Sequence, residues 1–109
     1  MTGFPPKVRK LIHERANGLC EYCGVERGTE IHHRRPRAMG GTNQASTNEA
    51  SNGLLLCAAD HRWAESHRTD ALLAGVLLLQ IQNPRRSAVK YRGSYLFLDD
   101  LGNLLEVAA

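Results

Sequence analysis

The sequence predicts a single small α+β domain that spans residues 1–109. The length of 109 residues suits one domain and not two. Apolar residues recur at helical spacing near the N-terminus, whereas short apolar segments alternate with turn residues in the C-terminal third. Hydrophobic residues make up 42% of the chain, which favours a folded protein over a disordered one. A domain this small buries a modest core, so a bound metal would help to stabilise it.

The first element is predicted to be a helix over residues 5–17. Val8, Leu11 and Ile12 repeat at helical spacing, and the prolines at the start can occupy the first turn. Gly18 is suited to the left-handed conformation that ends many helices.

The middle of the chain is predicted to contain two strands, a loop and a second helix. Residues 30–35 are expected to be extended, and the apolar residues 53–57 to form a short strand. Residues 39–52 are rich in Gly, Asn, Ser and Thr, which favours a surface loop. Asp60 is placed to cap a helix that starts at residue 61 and continues, with a bend near Thr69, to residue 75.

The C-terminal segment is predicted to be a small β extension. Short apolar segments between turn residues favour strands at 76–80, 88–91, 95–98 and 104–107. We expect this extension either to cover the rest of the domain or to mediate dimerisation.

The charge pattern favours a polyanionic partner only weakly. The net charge is +3, and the basic residues fall into three groups. Taken singly, each group is expected to be a solvated surface. The groups are Arg34, Arg35 and Arg37; Arg85, Arg86, Lys90 and Arg92; and Lys7, Arg9, Lys10 and Arg15.

The three cysteines cannot all pair with one another, because their number is odd. Met1 is not followed by the apolar segment of a signal peptide, so we expect a cytoplasmic protein. The longest apolar run, 72–79, is too short to span a membrane. In the cytosol a CxxC pair such as Cys20 and Cys23 indicates metal binding or redox chemistry rather than a structural disulfide.

The cysteine spacing predicts a structural zinc site. Cys20 and Cys23 have zinc-knuckle spacing, and Cys57 follows the predicted strand. Three thiolates supply most of a closed site of four ligands. A buried or redox-active cysteine pair would have the same local spacing.

Histidine and asparagine complete a longer pattern. The chain reads CxxC, then His32-His33, then Asn52, Cys57 and His61. The segments CEYCG, IHHRRPRAMGG, NEASNGLLLC and DHRWAESHR, which lie within residues 18–68, together resemble the HNH endonucleases, specifically the short phage-encoded kind.

The resemblance implies a ββα-metal, treble-clef-like core over about 18–75, with an N-terminal helix before it and the β extension 76–109 after it. It implies that His33 is the general base and that Asn52 orients it through the His33 backbone or ring. His32 and His61 would be ligands of a divalent cation: Mg²⁺, Mn²⁺, Ni²⁺ or Zn²⁺.

This chemistry also has a physical basis. Hydrolysis of a phosphodiester needs a water molecule that loses its proton near neutral pH, and imidazole has an unperturbed pKa of about 6.5. A divalent cation stabilises the charge that builds on the phosphorane and on the leaving 3′ oxygen.

The sequence departs from the family pattern at Asp60. Many relatives have a cysteine immediately before the last histidine, where this chain has Asp60. Zinc accepts carboxylate ligands, so Asp60 is favoured as the fourth ligand of the structural zinc. Alternatively, Asp60 only caps the helix, and the zinc site is weakened or absent.

The arginines beside the predicted base are expected to bind phosphate. Arg34, Arg35 and Arg37 lie next to His33, and arginine can bind phosphate with two parallel hydrogen bonds. The expected partner is DNA, double-stranded and bound with low sequence specificity, because nothing in the sequence indicates a base-reading helix. Two alternatives remain: a non-catalytic zinc module that binds DNA, and a structural partner in a phage complex such as the packaging proteins.

Overall fold

The computed structural model describes residues 3–36 and 45–107, and it confirms a small α+β domain. The helices are α1 (Pro6–Ala16), α2 (Ala58–Ser66) and α3 (Arg68–Leu73). The strands are β1 (Glu30–His33), β2 (Gly53–Leu56), β3 (Val89–Tyr91), β4 (Ser94–Leu98) and β5 (Leu104–Glu106). Within the described ranges, no helix has both the length and the apolar character that crossing a membrane requires.

Helix α1 begins and ends within one residue of the prediction. Pro6 occupies its first turn, and both Asn17 (φ 54°) and Gly18 (φ 75°) adopt the left-handed conformation after it. Ile12 and Ala16 are buried and pack in a small apolar cluster with Leu55 of β2.

Arg15 of α1 corrects the expectation of a solvated basic face. Its guanidinium binds both carboxylate oxygens of Glu21 at 2.7 Å, and both side chains are almost completely buried. The same guanidinium donates to the carbonyls of Ala50 (3.0 Å) and Gly53 (2.6 Å). Glu21 also accepts a hydrogen bond from the Leu55 backbone (2.9 Å). The pair therefore ties α1 to the cysteine turn and to β2.

The two predicted strands, β1 and β2, pair antiparallel, with Glu30 opposite Leu56 and His33 opposite Gly53. All four residues of β2 are buried. This pairing fixes His32 and His33 at the end of β1.

The prediction of a surface loop over residues 39–52 is wrong for the part of it that the structure describes. Residues 39–44 lie outside the described residues, and the rest forms two short 3₁₀ turns, Ala45–Asn48 and Ala50–Asn52. Ser51 and Asn52 are completely buried. The side chain of Asn52 is satisfied by backbone groups of Arg35 and Thr47, whereas the Ser51 hydroxyl has no hydrogen-bond partner among the described residues.

Helix α2 begins at Ala58, three residues earlier than predicted. Cys57 is the residue before it, and Asp60 lies inside its first turn rather than at its cap. Helix α2 ends before His67, two residues before the predicted bend, and the chain continues as α3.

The prediction of a strand at 76–80 is wrong, whereas the three later strands are confirmed. Val76, Leu77 and Leu78 are buried, but they follow α3 in an irregular segment whose amides donate to Ala71 and Arg34 carbonyls. Strands β3, β4 and β5 form an antiparallel meander.

Arg92 joins this meander to the cysteine turn. Its guanidinium donates to the carbonyls of Ala16 (2.7 Å) and Cys20 (3.3 Å), and its backbone amide donates to Tyr22 (3.2 Å). Gly24 has φ +72°, and a Cβ there would lie only 2.8 Å from Cγ of Arg92. A residue with a side chain at position 24 would therefore displace Arg92.

Candidate functional site

The candidate site is an open cleft of about 310 Å³ between β1 and the helix that follows β2. Its walls combine three histidines with one glutamate, one arginine and three apolar residues. The lining residues are Ile31, His32, His33, Pro36, His61, Glu65, Arg68 and Leu77. The structure thus brings together His32, His33 and His61, although 28 positions separate the last two (61 − 33).

His32 forms the inner wall of the cleft and is only 6% exposed. Its Nε2 lies 2.9 Å from the carbonyl oxygen of Val76. Because a carbonyl can only accept, Nε2 donates, and the lone pair is on Nδ1. Burial is the main cause that lowers the pKa of His32 to about 4, so the ring is neutral at neutral pH. A neutral imidazole is the form that binds metal.

His33 lies at the end of β1, where its ring is fixed on two sides. It stacks on Phe4 with ring centroids 4.2 Å apart. Its Nε2 lies 2.9 Å from Oδ1 of Asn48. An amide oxygen only accepts, so Nε2 donates and Nδ1 keeps the lone pair that can receive a proton.

His61 lies in the first half of α2, and its ring packs edge-to-face with that of His32, with the two ring centroids 5.2 Å apart. Its Nδ1 is hydrogen-bonded to Oε1 of Glu30 at the start of β1. The carboxylate accepts from Nδ1, which leaves Nε2 of His61 able to bind a cation. His32 and His61 therefore each have one ring nitrogen held by an acceptor and one with a lone pair.

Among the described residues, the Asn52 side chain hydrogen-bonds neither the ring nor the backbone of His33, the two routes that the resemblance implies. Its Oδ1 accepts from the Arg35 amide (2.7 Å), and its Nδ2 donates to the carbonyls of Arg35 (3.1 Å) and Thr47 (2.8 Å). Asn52 instead fixes the backbone just after His33, and Asn48 holds the ring. Sequence reasoning missed Asn48, since a polar residue in a polar segment gives no signal of its own.

Arg34 corrects the prediction that it binds phosphate, because it is completely buried. Its guanidinium donates to four carbonyls: Gly75 (2.9 Å), Ser51 (2.9 Å), Pro84 (3.0 Å) and Ser87 (2.6 Å). Burial lowers its pKa to about 9, which still leaves it charged at neutral pH. Arg34 therefore ties its own segment to three others and, being completely buried, does not face DNA.

Arg35 is also unsuited to the predicted phosphate contact. It is 4% exposed, donates to the carbonyl of Gln82 (2.9 Å) and is hydrogen-bonded to the Ser46 hydroxyl. Arg37, the third residue of this prediction, lies outside the described residues.

The predicted zinc ligands lie together, and none of them lines the cleft. One ligand atom from each of Cys20, Cys23, Cys57 and Asp60 lies within 4.8 Å of the other three. Tetrahedral zinc with Zn–S distances of about 2.3 Å separates neighbouring sulfurs by roughly 3.8 Å, so the cluster is close to the required size. The four residues could bind a metal ion.

The cysteine cluster would gain from a cation. Burial is the main cause that raises the pKa of Cys20 to about 12, and the hydrogen bond from Sγ to Oδ2 of Asp60 (3.2 Å) also raises it. Burial likewise raises the pKa of Cys57. Positive charge at the centre would favour the thiolates that burial disfavours.

Two exposed residues of α2 and α3, Glu65 and Arg68, complete the outer wall of the cleft. Glu65 lies one turn beyond His61, as its spacing predicts. No sequence motif distinguishes Arg68 from the other arginines of the chain.

Comparisons with models of known protein families, with curated protein sequences and with solved structures found no significant match to this chain. A function for this chain must therefore be inferred from the geometry of the cleft and of the cysteine cluster, together with the resemblance of the motifs.

Proposed function

We propose that this chain is a metal-dependent endonuclease of the HNH type, with a ββα-metal core formed by β1, β2 and α2, and that it hydrolyses DNA phosphodiester bonds. The observation that carries the proposal is the convergence of His32, His33 and His61 in one solvent-accessible cleft. A zinc module that only binds DNA has no need of three histidines around a cleft.

His33 is the general base of the proposed reaction. Its Nδ1 takes a proton from a water molecule, and the water oxygen forms a bond to phosphorus. The bond from phosphorus to the 3′ oxygen breaks, and the 3′ oxygen keeps the electron pair and takes a proton from solvent. Asn48 accepts from Nε2 and Phe4 stacks on the ring, so the lone pair keeps one direction. The hydrogen bond to Asn48 also stabilises the imidazolium after the proton arrives.

His32 and His61 would hold the divalent cation, Mg²⁺, Mn²⁺, Ni²⁺ or Zn²⁺. When bound, such a cation stabilises negative charge on the phosphate and on the leaving oxygen. The hydrogen bonds to Val76 and Glu30 fix the tautomers of the two rings, as outer contacts of metal-binding histidines commonly do.

A structural Zn²⁺ held by Cys20, Cys23, Cys57 and Asp60 is the second part of the proposal. Its ligands come from the turn after α1 and from the start of α2, so it would link α1 to the helix that carries His61. That link would keep His61 opposite His32.

Plasmid cleavage with a panel of divalent cations tests the proposal. We expect nicked or linear DNA with at least one of Mg²⁺, Mn²⁺, Ni²⁺ and Zn²⁺, and intact plasmid when a chelator is in excess. Duplex binding without cleavage under every cation would favour the zinc module that only binds DNA. Neither binding nor cleavage would leave a structural role, such as one in a phage packaging complex.

A further inference from the structure

Arg68 lies at the outer wall of the histidine cleft and has no assigned role. Among the described residues that line the cleft, it carries the one permanent positive charge. Arg34 and Arg35, which the sequence favoured as phosphate ligands, face the interior and donate to protein groups. A nuclease cleft needs a positively charged side chain that binds phosphate, and Arg34 and Arg35 do not supply it.

Arg68 shares one side of the helical segment with the other groups of the cleft. His61, Glu65 and Arg68 are spaced i, i+4 and i+7, and the cleft retains this alignment across the break at His67. Arg62 is a suitable residue for comparison with Arg68. It is also exposed, but it follows His61 directly and does not line the cleft.

The Arg68 guanidinium is available to an external ligand. Its residue is exposed, and among the described residues it forms no ion pair with a carboxylate. By contrast, the exposed guanidinium of Arg85 lies 3.6 Å from the carboxylate of Asp100. An unpaired guanidinium beside a proposed general base can bind phosphate oxygens through two parallel hydrogen bonds.

We propose that Arg68 binds the non-bridging oxygens of the DNA phosphodiester that lies in the histidine cleft, and so positions that phosphate in front of His33. This inference rests on the proposed nuclease function and names the residue that binds its substrate. The cleft, with a volume of about 310 Å³, has room for one phosphodiester group.

The test measures how binding of a 20-base-pair duplex depends on salt. Every protein carries His33→Ala, so that the duplex stays intact. The slope of log K against log salt concentration is negative, and loss of one phosphate contact makes it less steep by about 0.9. We expect Arg68→Gln to show this change and to weaken binding at low salt by roughly tenfold. We expect Arg62→Gln, the control, to change neither quantity.

Arg68→Lys is the second variant, since it keeps the charge and removes the planar fork. We expect it to retain the salt slope and to bind less tightly than the arginine form. An unchanged slope and affinity in Arg68→Gln would overturn the assignment of Arg68 and leave the nuclease proposal intact. An equal effect in Arg62→Gln would also overturn it, by pointing to a diffuse surface charge. A parent protein that binds no duplex would overturn both proposals.

Discussion

Arg34 and Arg35 follow His33 directly, yet their side chains serve the interior of the protein. Residue type and position predicted a phosphate contact, because arginine beside a base residue is suited to that role. The sequence does not reveal which backbone carbonyls will lack partners after folding. In the structure these carbonyls belong to Ser51, Gly75, Pro84 and Ser87, which lie up to 53 residues away from Arg34.

Replacement of Arg34 by lysine should therefore reduce stability and not DNA binding. A single ammonium group cannot reach four carbonyls that surround a planar guanidinium, and each unsatisfied buried group costs about 1–3 kcal/mol. We expect Arg34→Lys to lower the free energy of unfolding in urea by roughly 3–5 kcal/mol. The exposed Arg86→Lys is the control and should change it by less than about 0.5 kcal/mol.

The salt dependence of duplex binding completes this test. Folded Arg34→Lys protein should keep the parental salt slope, since Arg34 does not face the cleft. A reduced slope together with unchanged stability would show that Arg34 does bind phosphate.

Helices and strands were predicted well where neighbouring residues carry the pattern. They were predicted poorly where packing against distant segments determines the backbone conformation. The helical spacing in α1 and the apolar strand β2 were both readable, because a few neighbouring residues carry the pattern. The start of α2 was misjudged, since Asp60 is a favourable capping residue but lies in the first turn. The apolar residues at the start of 76–80 favour a strand, whereas packing after α3 buries Val76, Leu77 and Leu78 without strand pairing.

The cysteine cluster was predicted in full because its spacing is local at both ends. Cys20 and Cys23 belong to one turn, and Cys57 and Asp60 to the start of one helix. The hydrogen bond from the Glu21 amide to the Leu55 carbonyl (2.7 Å) joins the cysteine turn to β2, directly before Cys57. Zinc binding itself stays a prediction, and a substitution at Asp60 tests it.

Asp60→Asn should weaken zinc binding, and Asp60→Cys should hold zinc at least as tightly as the parent protein. A thiolate is a softer and stronger zinc ligand than a carboxylate, and a neutral amide is weaker than either. Asp70→Asn is the matched control, since Asp70 also lies in the first turn of a helix and is not in the cluster. Elemental analysis after dialysis against a graded chelator series gives the retained zinc per chain.

Cys20→Ser should also impair folding, because metal binding and folding are coupled. Well-folded parent protein with no tightly bound zinc would instead assign the three cysteines to core packing.

At the scale of the whole molecule, contacts between distant segments hold the site together. The sequence predicts the three C-terminal strands but not the contacts by which they pack on the rest of the domain. Arg92, placed by its charge in a solvated group, reaches the carbonyl of Ala16, which is 76 residues away in the chain. The Arg15–Glu21 pair makes a second buried link, between α1 and the cysteine turn. Such contacts depend on three-dimensional proximity, and single-sequence patterns do not contain it.

Loss of the Arg92 side chain should loosen the cysteine turn. We expect Arg92→Ala to lower the free energy of unfolding by about 1–3 kcal/mol, since the carbonyls of Ala16 and Cys20 lose a charged donor. Arg92 has a φ of 50°, so Arg92→Gly removes the guanidinium and relieves the backbone. A destabilised Arg92→Gly protein would assign the effect to the guanidinium. The exposed Lys90→Ala serves as control, and an equal loss there would contradict a specific docking role.

The most direct measurement for the nuclease proposal is the single-turnover rate of plasmid cleavage by His33→Ala, with duplex affinity measured in parallel. His13→Ala is the control, because His13 is exposed on α1 and does not line the cleft. A general base contributes about 10²–10⁴-fold to the rate and acts mainly in the transition state. We therefore expect His33→Ala to lose that factor with little change in affinity, and His13→Ala to cleave at the parental rate. Cleavage by His33→Ala at the parental rate would contradict the proposed mechanism.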